Sequence, residues 1–446
     1  MSLTFIDGFR DKTGKIELFS FDESLRQVKL DADDFVVCFD ARKAVELVSN
    51  EIVFDLKMLL DIDCSLSSFV EKSALACKDE FLKHEQKFSA HANALLNANV
   101  DLESICLEEL LPNGMLSKRA SLRAEAMREI LRSVTEHDIK HYKNRIWPLF
   151  KVISRMEDAK IKVDVEKISV GLNDSSLNMH ETNFLRSIKS QEKNGFVKSA
   201  MSPVGSKTWR IRVESGFKCM SIPHGFCRSV LTSRFENGKI CTLDFNAIDY
   251  RCLVEAVNDS DLTRFYAGVL DFHARTASLF GEVTPKLRDD IKKITYAHIY
   301  GGALDTLNAS TGLSHFELKE MLIKLDKLFE PIIRFRNELV AESKKNGFLD
   351  TPGYHRIKID DDFSPGKVIG LYAQTFSSFV FGKALSRADE IVRDIKSKMI
   401  FTVYDEVVFD LHPEEIRHAS DIKKEIEKTT GFVTKMKIGE NYEDVE

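Results

Sequence analysis

The sequence predicts an α+β fold in which a single sheet is interrupted by a helical block. Apolar, β-branched runs typical of buried strands occur at residues 239–245 and again at 399–411. Residues 252–347, which separate these runs, carry helical patterns instead. At 446 residues the chain is long for a single core, so we expect about two to four structural units.

Composition is that of an ordinary globular protein, with 43% apolar and 30% charged residues. No apolar run approaches the ~18 residues that a membrane span requires, and the charged start of the chain lacks a signal-peptide pattern. The eight cysteines include no CxxC pair, which argues against zinc and a disulfide framework. We therefore expect no membrane partner and a reducing cytoplasm, the host cytoplasm if the source is a virus.

Charge is unevenly distributed along the chain. The net charge is −6, but residues 181–240 carry eleven Lys or Arg against four Asp or Glu. A basic tract inside an acidic protein suggests a local surface for phosphates. A solvated basic face explains the same tract equally well.

The remaining segments are less distinctive. Residues 1–75 alternate short apolar runs with polar turns, which predicts a small α/β unit. Residues 76–145 are rich in helix formers and include a predicted amphipathic helix at 117–134. Residues 165–209 are polar and punctuated by Gly and Ser, and a long helix is predicted at 368–398.

Three acidic residues lie at the ends of the predicted strands. Asp244 follows an apolar strand and precedes a helical stretch, where a carboxylate can hold a divalent cation or simply cap the helix. Asp405 and Glu406 lie between two apolar runs, as at the tip of a tight hairpin. Two like charges beside a buried sheet raise each other's pKa unless a cation neutralises them. Mg²⁺ suits such a site because it prefers oxygen ligands and substrate phosphates.

A fourth pattern is a stripe of residues four apart: Arg288, Lys292, Tyr296 and Tyr300, followed by Gly301-Gly302. On a helix this spacing places two cations and then two aromatic rings along one face. That order matches a nucleoside triphosphate, with its phosphates on the cations and its sugar and base on a ring. An ordinary solvated helix surface is the common alternative.

In order, these segments resemble motifs A, B and C of family-A DNA polymerases. Motif A is similar to D-F-N-A-I-D-Y-R at 244–251, motif B to 288–301 with Ala297 in place of the first glycine, and motif C to Val403-Tyr404-Asp405-Glu406. Four further landmarks follow the family's order, at residues 147–164, 208–223, 271–277 and 373–375. The resemblance covers about residues 146–446.

The resemblance implies a right-hand polymerase with an antiparallel palm sheet, helical fingers and a shortened thumb. It divides the chain into a small α/β unit similar to a degenerate exonuclease remnant (1–75), a helical region (76–145), an entry segment and shortened thumb (146–209), the palm with motif A (210–262), the fingers with motif B (263–347) and the palm with motif C (348–446).

The implied activity is template-directed DNA synthesis, which adds deoxynucleotides from dNTPs to the primer 3′ end of a primer–template DNA. By resemblance, two Mg²⁺ ions, for which Mn²⁺ can substitute, bind Asp244, Asp405 and the backbone carbonyl of Phe245, while Glu406 supports the site. Lys292 is implied to assist the leaving group. The resemblance assigns triphosphate binding to Arg288, Lys292 and His273, exclusion of a 2′-hydroxyl to Asp249 and Tyr296, and contacts with primer and template to Arg210, Arg251, Tyr300, Gln374 and Tyr404.

Departures from the family pattern carry their own expectations. Asp249 is one methylene shorter than the usual glutamate, which predicts weaker exclusion of ribonucleotides, and Tyr296 predicts tolerance of dideoxynucleotides. Residues 1–75 contain no D-x-E pair, so we expect no proofreading. The short interval between Asp164 and Arg210 predicts poor processivity, for which a processivity factor or a separate exonuclease could compensate.

Two other functions remain open at this point. A single-subunit RNA polymerase shares the carboxylates and the R-x-x-x-K stripe, although Glu406, Asp249 and Tyr296 follow the DNA-polymerase pattern. A catalytically inactive nucleic-acid-binding replication protein has no need of Asp244, Asp405, Arg288 and Lys292 together. Primer extension that compares dNTPs with rNTPs separates all three.

Overall fold

The computed structural model describes the strands at residues 3–10, 16–20, 26–27, 35–38 and 53–55, and residues 141–445 apart from 205, 354 and 360–362. The chain divides into two compact units, residues 1–147 and 148–446. The predicted helix at 117–134 lies outside the described residues, as does most of the predicted helical region 76–145.

The first unit contains a five-stranded mixed sheet. Its strands are β1 (Leu3–Arg10), β2 (Ile16–Ser20), β3 (Arg26–Gln27), β4 (Phe35–Cys38) and β5 (Val53–Asp55), in the order β3-β2-β1-β4-β5. The pairs β1–β2 and β2–β3 are antiparallel, whereas β1–β4 and β4–β5 are parallel. Residues Tyr142–Ile146 form one turn of π-helix.

The remaining elements alternate helices with short strands. The helices are α1 (Trp147–Ala159), α2 (Val165–Leu172), α3 (Met179–Gln191), α4 (Phe226–Ser229), α5 (Ile248–Val257), α6 (Ser260–Tyr266), α7 (Phe272–Ala277), α8 (Pro285–Tyr300), α9 (Leu304–Thr311), α10 (His315–Asn346), α11 (Pro365–Val392) and α12 (His418–Thr430). The strands are β6 (Ile161–Lys162), β7 (Phe196–Val197), β8 (Ser199–Ser202), β9 (Arg212–Gly216), β10 (Lys239–Asp244), β11 (Phe348–Thr351), β12 (His355–Lys358), β13 (Lys398–Val403), β14 (Glu406–Leu411) and β15 (Lys435–Gly439).

A four-stranded antiparallel sheet, in the order β13-β14-β10-β15, forms the centre of the second unit. The four middle residues of both β10 and β13 are buried, which explains why these strands read as continuous apolar runs. Side chains of α11 and α12 complete this core. Helices α5 to α11 lie in sequence between β10 and β13, so the predicted α+β fold with one interrupted sheet is confirmed.

A second core holds the helical block together. Tyr250, Phe272, Ile294, Phe329 and Ile369 from five different helices are buried in it. Helix α8 begins at the N-cap Thr284, whose hydroxyl accepts from the N–H of Leu287, and ends at Gly301 with φ of +86°. The glycine therefore terminates the helix in the left-handed conformation, as the sequence predicts.

Two segments differ from the sequence prediction. The long helix spans Pro365–Val392 and not 368–398, because the Glu415 carboxylate accepts from the N–H groups of Lys396 and Ser397 and turns the chain into β13. The polar segment 165–209 contains two helices, α2 and α3. Asn178 and Glu181 form a capping box at the start of α3, a local signal that was present in the sequence.

Within the described part of the chain, no helix is both long and apolar enough to cross a membrane.

Candidate active site at the end of the central sheet

The central sheet brings the three predicted acidic residues together at one end. Asp244 is the last residue of β10, and the antiparallel register places it opposite Glu406, the first residue of β14. Val403 pairs with Glu406 across the hairpin, so Tyr404 and Asp405 form its two-residue turn. The hairpin predicted from the sequence is thus present, and its turn lies beside the end of β10.

Burial makes this acidic cluster unfavourable in its charged form. Burial, with the neighbouring charge of Asp244, raises the pKa of Asp405 to about 6. Burial likewise raises the pKa of Glu406 to about 7 and raises the pKa of Asp244. At Asp244 a hydrogen bond from the backbone of Asn246, followed by the charges of Lys435 and Lys437 on β15, offsets only part of the effect of burial on the pKa. A bound cation would relieve the repulsion among these carboxylates.

Tyr442 is a supporting residue that the sequence analysis missed. Its hydroxyl donates to Oε1 of Glu406 over 2.8 Å. The Tyr442 ring is buried, packs edge-on against Phe401 and lies 5.1 Å from the Arg228 guanidinium. Tyr442 lies 36 residues from its partner, so no local sequence signal could have revealed the contact.

The donors available to a metal at this site are all oxygen atoms. In the described part of the chain, no three His, Cys, Asp or Glu side chains converge closely enough to hold a metal by themselves. Phe245 is fully buried with its ring near Phe381, which leaves its backbone carbonyl as its available donor. Two carboxylates and a carbonyl fit Mg²⁺, which keeps waters and completes its shell with substrate phosphates.

The backbone beside the acids adopts conformations that are rare outside glycine. Asn246 and Ala247 have φ of +40° and +59°, and Tyr404 in the hairpin turn has φ of +55°. Such strain is typical of functional sites. Arg251 stabilises the first of these loops, because its buried guanidinium donates to the carbonyls of Asn246 and Leu270. Its predicted contact with DNA stays a prediction.

Helix α8 carries the four residues of the predicted stripe. The Arg288 guanidinium pairs with Asp271, with 2.6 Å between Nε and Oδ2. Lys292 is exposed, Tyr296 is 36% exposed, and Tyr300 is only partly exposed. The stripe is therefore accessible to solvent along its length, with Lys292 and Tyr296 exposed and Arg288 and Tyr300 partly exposed.

His273 is the buried member of this group. It lies on α7, beside the N-cap Asp271, and is 6% exposed. Burial, reinforced by the charges of Lys292 and Arg288, lowers the pKa of His273 to about 4. The imidazole is therefore neutral at physiological pH and can act as a hydrogen-bond donor through one nitrogen.

Tyr250 links the cationic helix to the loop after Asp244, and the sequence analysis missed it. Its fully buried ring stacks on Phe272 at 4.9 Å and meets Tyr296 edge-on, also at 4.9 Å. It also contacts His273 and Tyr300, at 5.5 and 6.1 Å between ring centroids. Its position directly after Asp249 in the sequence motif could have marked it as a site residue. Its contacts with four other rings depend on the tertiary fold and could not be predicted.

Two residues with different predicted roles pair with each other. Nη2 of Arg210 lies 3.0 Å from both carboxylate oxygens of Asp249. Arg210, Asp405 and Tyr404 line one narrow cleft, in which Tyr404 is 60% exposed. Gln374 is partly exposed on α11, and its carbonyl accepts from Ser377, which also lines this cleft.

Comparisons with known proteins agree with this geometry. A family model described as DNA polymerase family A matches residues 191–444. The chain is 24% identical over 224 residues to a DNA polymerase I of Lactococcus lactis and 26% identical over 180 residues to a DNA polymerase of Mycobacterium phage D29. These matches cover 46% and 40% of this chain, but only 26% and 29% of the two relatives.

One solved structure is similar over almost the whole chain. It is the POL domain of Pol1 from M. smegmatis in complex with DNA primer-template and dNTP, with a TM-score of 0.72 and 13% sequence identity. The likeness covers 99% of this chain and 95% of that one. At this identity the similarity concerns the fold alone.

Proposed function

This chain belongs to DNA polymerase family A, and from that premise we propose that it is a template-directed DNA polymerase that extends a primer 3′ end with deoxynucleotides. One observation supports the activity most strongly. Asp244 and Asp405 are partly buried at the end of one sheet with raised pKa values, while the cationic helix α8 carries Arg288 and Lys292. An inactive scaffold would gain nothing from keeping these acids buried and charged.

Members of family A generally use divalent metal ions, and we assign two Mg²⁺ ions to this chain, with Mn²⁺ as a substitute. Asp244, Asp405 and the carbonyl of Phe245 would hold them, and Glu406 would support the site. Bound ions would supply electrostatic stabilisation as the 3′-hydroxyl attacks the α-phosphate and pyrophosphate leaves. The sheet register pairs Asp244 with Glu406, the residue after Asp405, and this supports carboxylates that are held close together before any substrate binds.

Helices α7 and α8 provide most of the residues that would bind the incoming nucleotide. Arg288 and Lys292 neutralise the triphosphate, and the exposed Lys292 is best placed to stabilise the leaving pyrophosphate. His273, which is neutral, donates a hydrogen bond to a phosphate oxygen. Asp249 and Tyr296 contact the sugar and exclude a 2′-hydroxyl, so that dNTPs are preferred over rNTPs.

Three finer features belong to the same proposal. The four-stranded sheet acts as the palm, the helices from α6 to α10 act as fingers, and α2 with α3 acts as a short thumb. The short thumb predicts low processivity. A separate processivity factor could compensate for the weak grip on DNA. The absence of a D-x-E pair in residues 1–75 supports a chain without proofreading.

Primer extension with the full chain tests the function. We expect Mg²⁺-dependent incorporation of dNTPs opposite a matched template and much slower incorporation of rNTPs. Asp405→Ala should abolish extension and retain folding. Preferred use of rNTPs would instead identify an RNA polymerase, and a folded wild-type chain that binds primer–template without extending it would identify an inactive replication protein.

A further inference from the structure

The pairing of Arg210 with Asp249 has no counterpart in the roles assigned to these residues from sequence. Both oxygens of the Asp249 carboxylate are hydrogen-bonded to the same guanidinium nitrogen at 3.0 Å. The Asp249 side chain is 15% exposed and that of Arg210 is 35% exposed. A charge-assisted pair that is shielded from water in this way is stronger than an ordinary surface ion pair.

The position of the pair connects it to the reaction centre. Asp249 lies in the first turn of α5, five residues after Asp244. Arg210 lines the same cleft as Asp405 and Tyr404 in the hairpin turn. Arg210 therefore binds the carboxylate that would meet the sugar and shares a cleft with a carboxylate of the catalytic cluster.

From this geometry we infer that Arg210 is a positioning residue for sugar selection, which holds the short Asp249 side chain where an incoming 2′-hydroxyl would collide with it. The inference rests on the proposed polymerase function. An aspartate is one methylene shorter than the family's glutamate, so its carboxylate reaches less far and the direction in which it points matters more. The ion pair fixes one rotamer of Asp249 against the pocket.

A direct role of Arg210 on the primer predicts a different kinetic result. An arginine that only contacts DNA affects dNTP and rNTP incorporation by the same factor, since the primer is common to both reactions. An arginine that positions Asp249 affects mainly the discrimination between the two sugars. The ratio of kcat/KM for a dNTP to kcat/KM for the matching rNTP therefore separates the two roles.

The experiment measures that ratio for the full-length wild type, Arg210→Gln, Asp249→Asn and the double variant. We expect each single variant to lower the ratio about fivefold, and the double variant to lower it no further, because either change breaks the same pair. Arg210→Lys should restore part of the ratio. Arg212→Gln is the matched control, because Arg212 pairs with Glu214 and lies outside the site, and it should leave the ratio unchanged.

The possible failures are distinguishable. An unchanged ratio in an active Arg210→Gln variant, or additive effects in the double variant, would overturn the inference alone. A folded wild-type chain that incorporates neither nucleotide would overturn the polymerase function, and the inference with it.

Discussion

The acidic end of the central sheet and the cationic face of α8 carry opposite charges in contrasting environments. Asp405 and Glu406 are largely buried, and burial raises the pKa of both carboxyl groups. Lys292 on α8 is exposed, and Arg288 already pairs with Asp271. The acids therefore lower the stability of the free protein until a cation binds, whereas the cations cost it little. The comparison predicts that mutations in the two regions affect activity alike but stability differently.

The largest effect is expected for Asp405→Asn. Removal of one buried carboxylate should lower kcat by about 1000-fold, since it removes charge stabilisation at the reacting phosphate. Folding should become more favourable, because the native state raises the pKa of Asp405 to about 6 and disfavours its ionised form. Without divalent ions at pH 8, we expect the variant to gain about 2 kcal/mol in the free energy of unfolding.

The size of this stability gain depends on pH in a defined way. Above pH 6 the wild type carries the unfavourable charge, and as the pH falls through 6 towards 4 the native carboxyl is protonated first and the penalty is lost. The stability gain of Asp405→Asn should therefore disappear near pH 4. Urea unfolding in a chelating buffer at the two pH values measures it, and a variant that is less stable than wild type at pH 8 would contradict the electrostatic argument.

Lys292→Ala sharpens the comparison from the cationic side. Loss of this ammonium group should lower kcat/KM for dNTPs by about 100-fold, because it removes stabilisation of the leaving pyrophosphate. Stability should change by less than about 0.5 kcal/mol, since the side chain is exposed. Single-nucleotide incorporation and thermal unfolding measure the two quantities. Lys293→Ala is the matched control, because Lys293 pairs with Asp289 on the same helix, and equal losses in both variants would argue against a specific role.

His273 is the exception that tests the contrast, because it lies on the nucleotide side but is buried. Folding lowers its pKa from 6.5 to about 4, so the unfolded chain takes up this proton first as the pH falls. Between pH 8 and pH 5 the wild type should lose about 2 kcal/mol of unfolding free energy that His273→Gln retains. Denaturant titration at both pH values measures the difference. His180 is exposed and provides the control. An equal effect of His180→Gln on the free energy of unfolding between pH 8 and pH 5 would contradict the explanation.

The acidic cluster and the stripe on α8 could be predicted because their determinants are local. Strand patterns at 239–245 and 399–411 deliver Asp244, Asp405 and Glu406 to strand ends, and helical spacing fixes the order from Arg288 to Tyr300. The four-stranded sheet then follows from the need to bury two apolar hairpin strands against β10. Their roles in catalysis rest on the family resemblance and stay predictions.

The missed features divide into two kinds. Helices α2 and α3 begin at the N-cap residues Asp164 and Asn178. These capping signals are local, so both helices could have been predicted from the sequence. The Arg210–Asp249 pair joins residues 39 apart, and the end of α11 depends on Glu415 from a later turn. Contacts of this kind depend on how the chain folds back on itself, which residue spacing does not encode.

Tyr442 is the clearest case of such a contact and gives the smallest predicted effect. Tyr442→Phe removes the hydroxyl that donates to Glu406 but keeps the ring that packs against Phe401. We expect kcat to fall about tenfold, because the Glu406 carboxylate loses the bond that orients it, while KM for the dNTP stays within about twofold. Steady-state primer extension measures both. Tyr442→Leu should lower stability as well, because it leaves part of the ring's buried volume unfilled. A Tyr442→Phe variant with unchanged kcat would show that the sheet register alone positions Glu406.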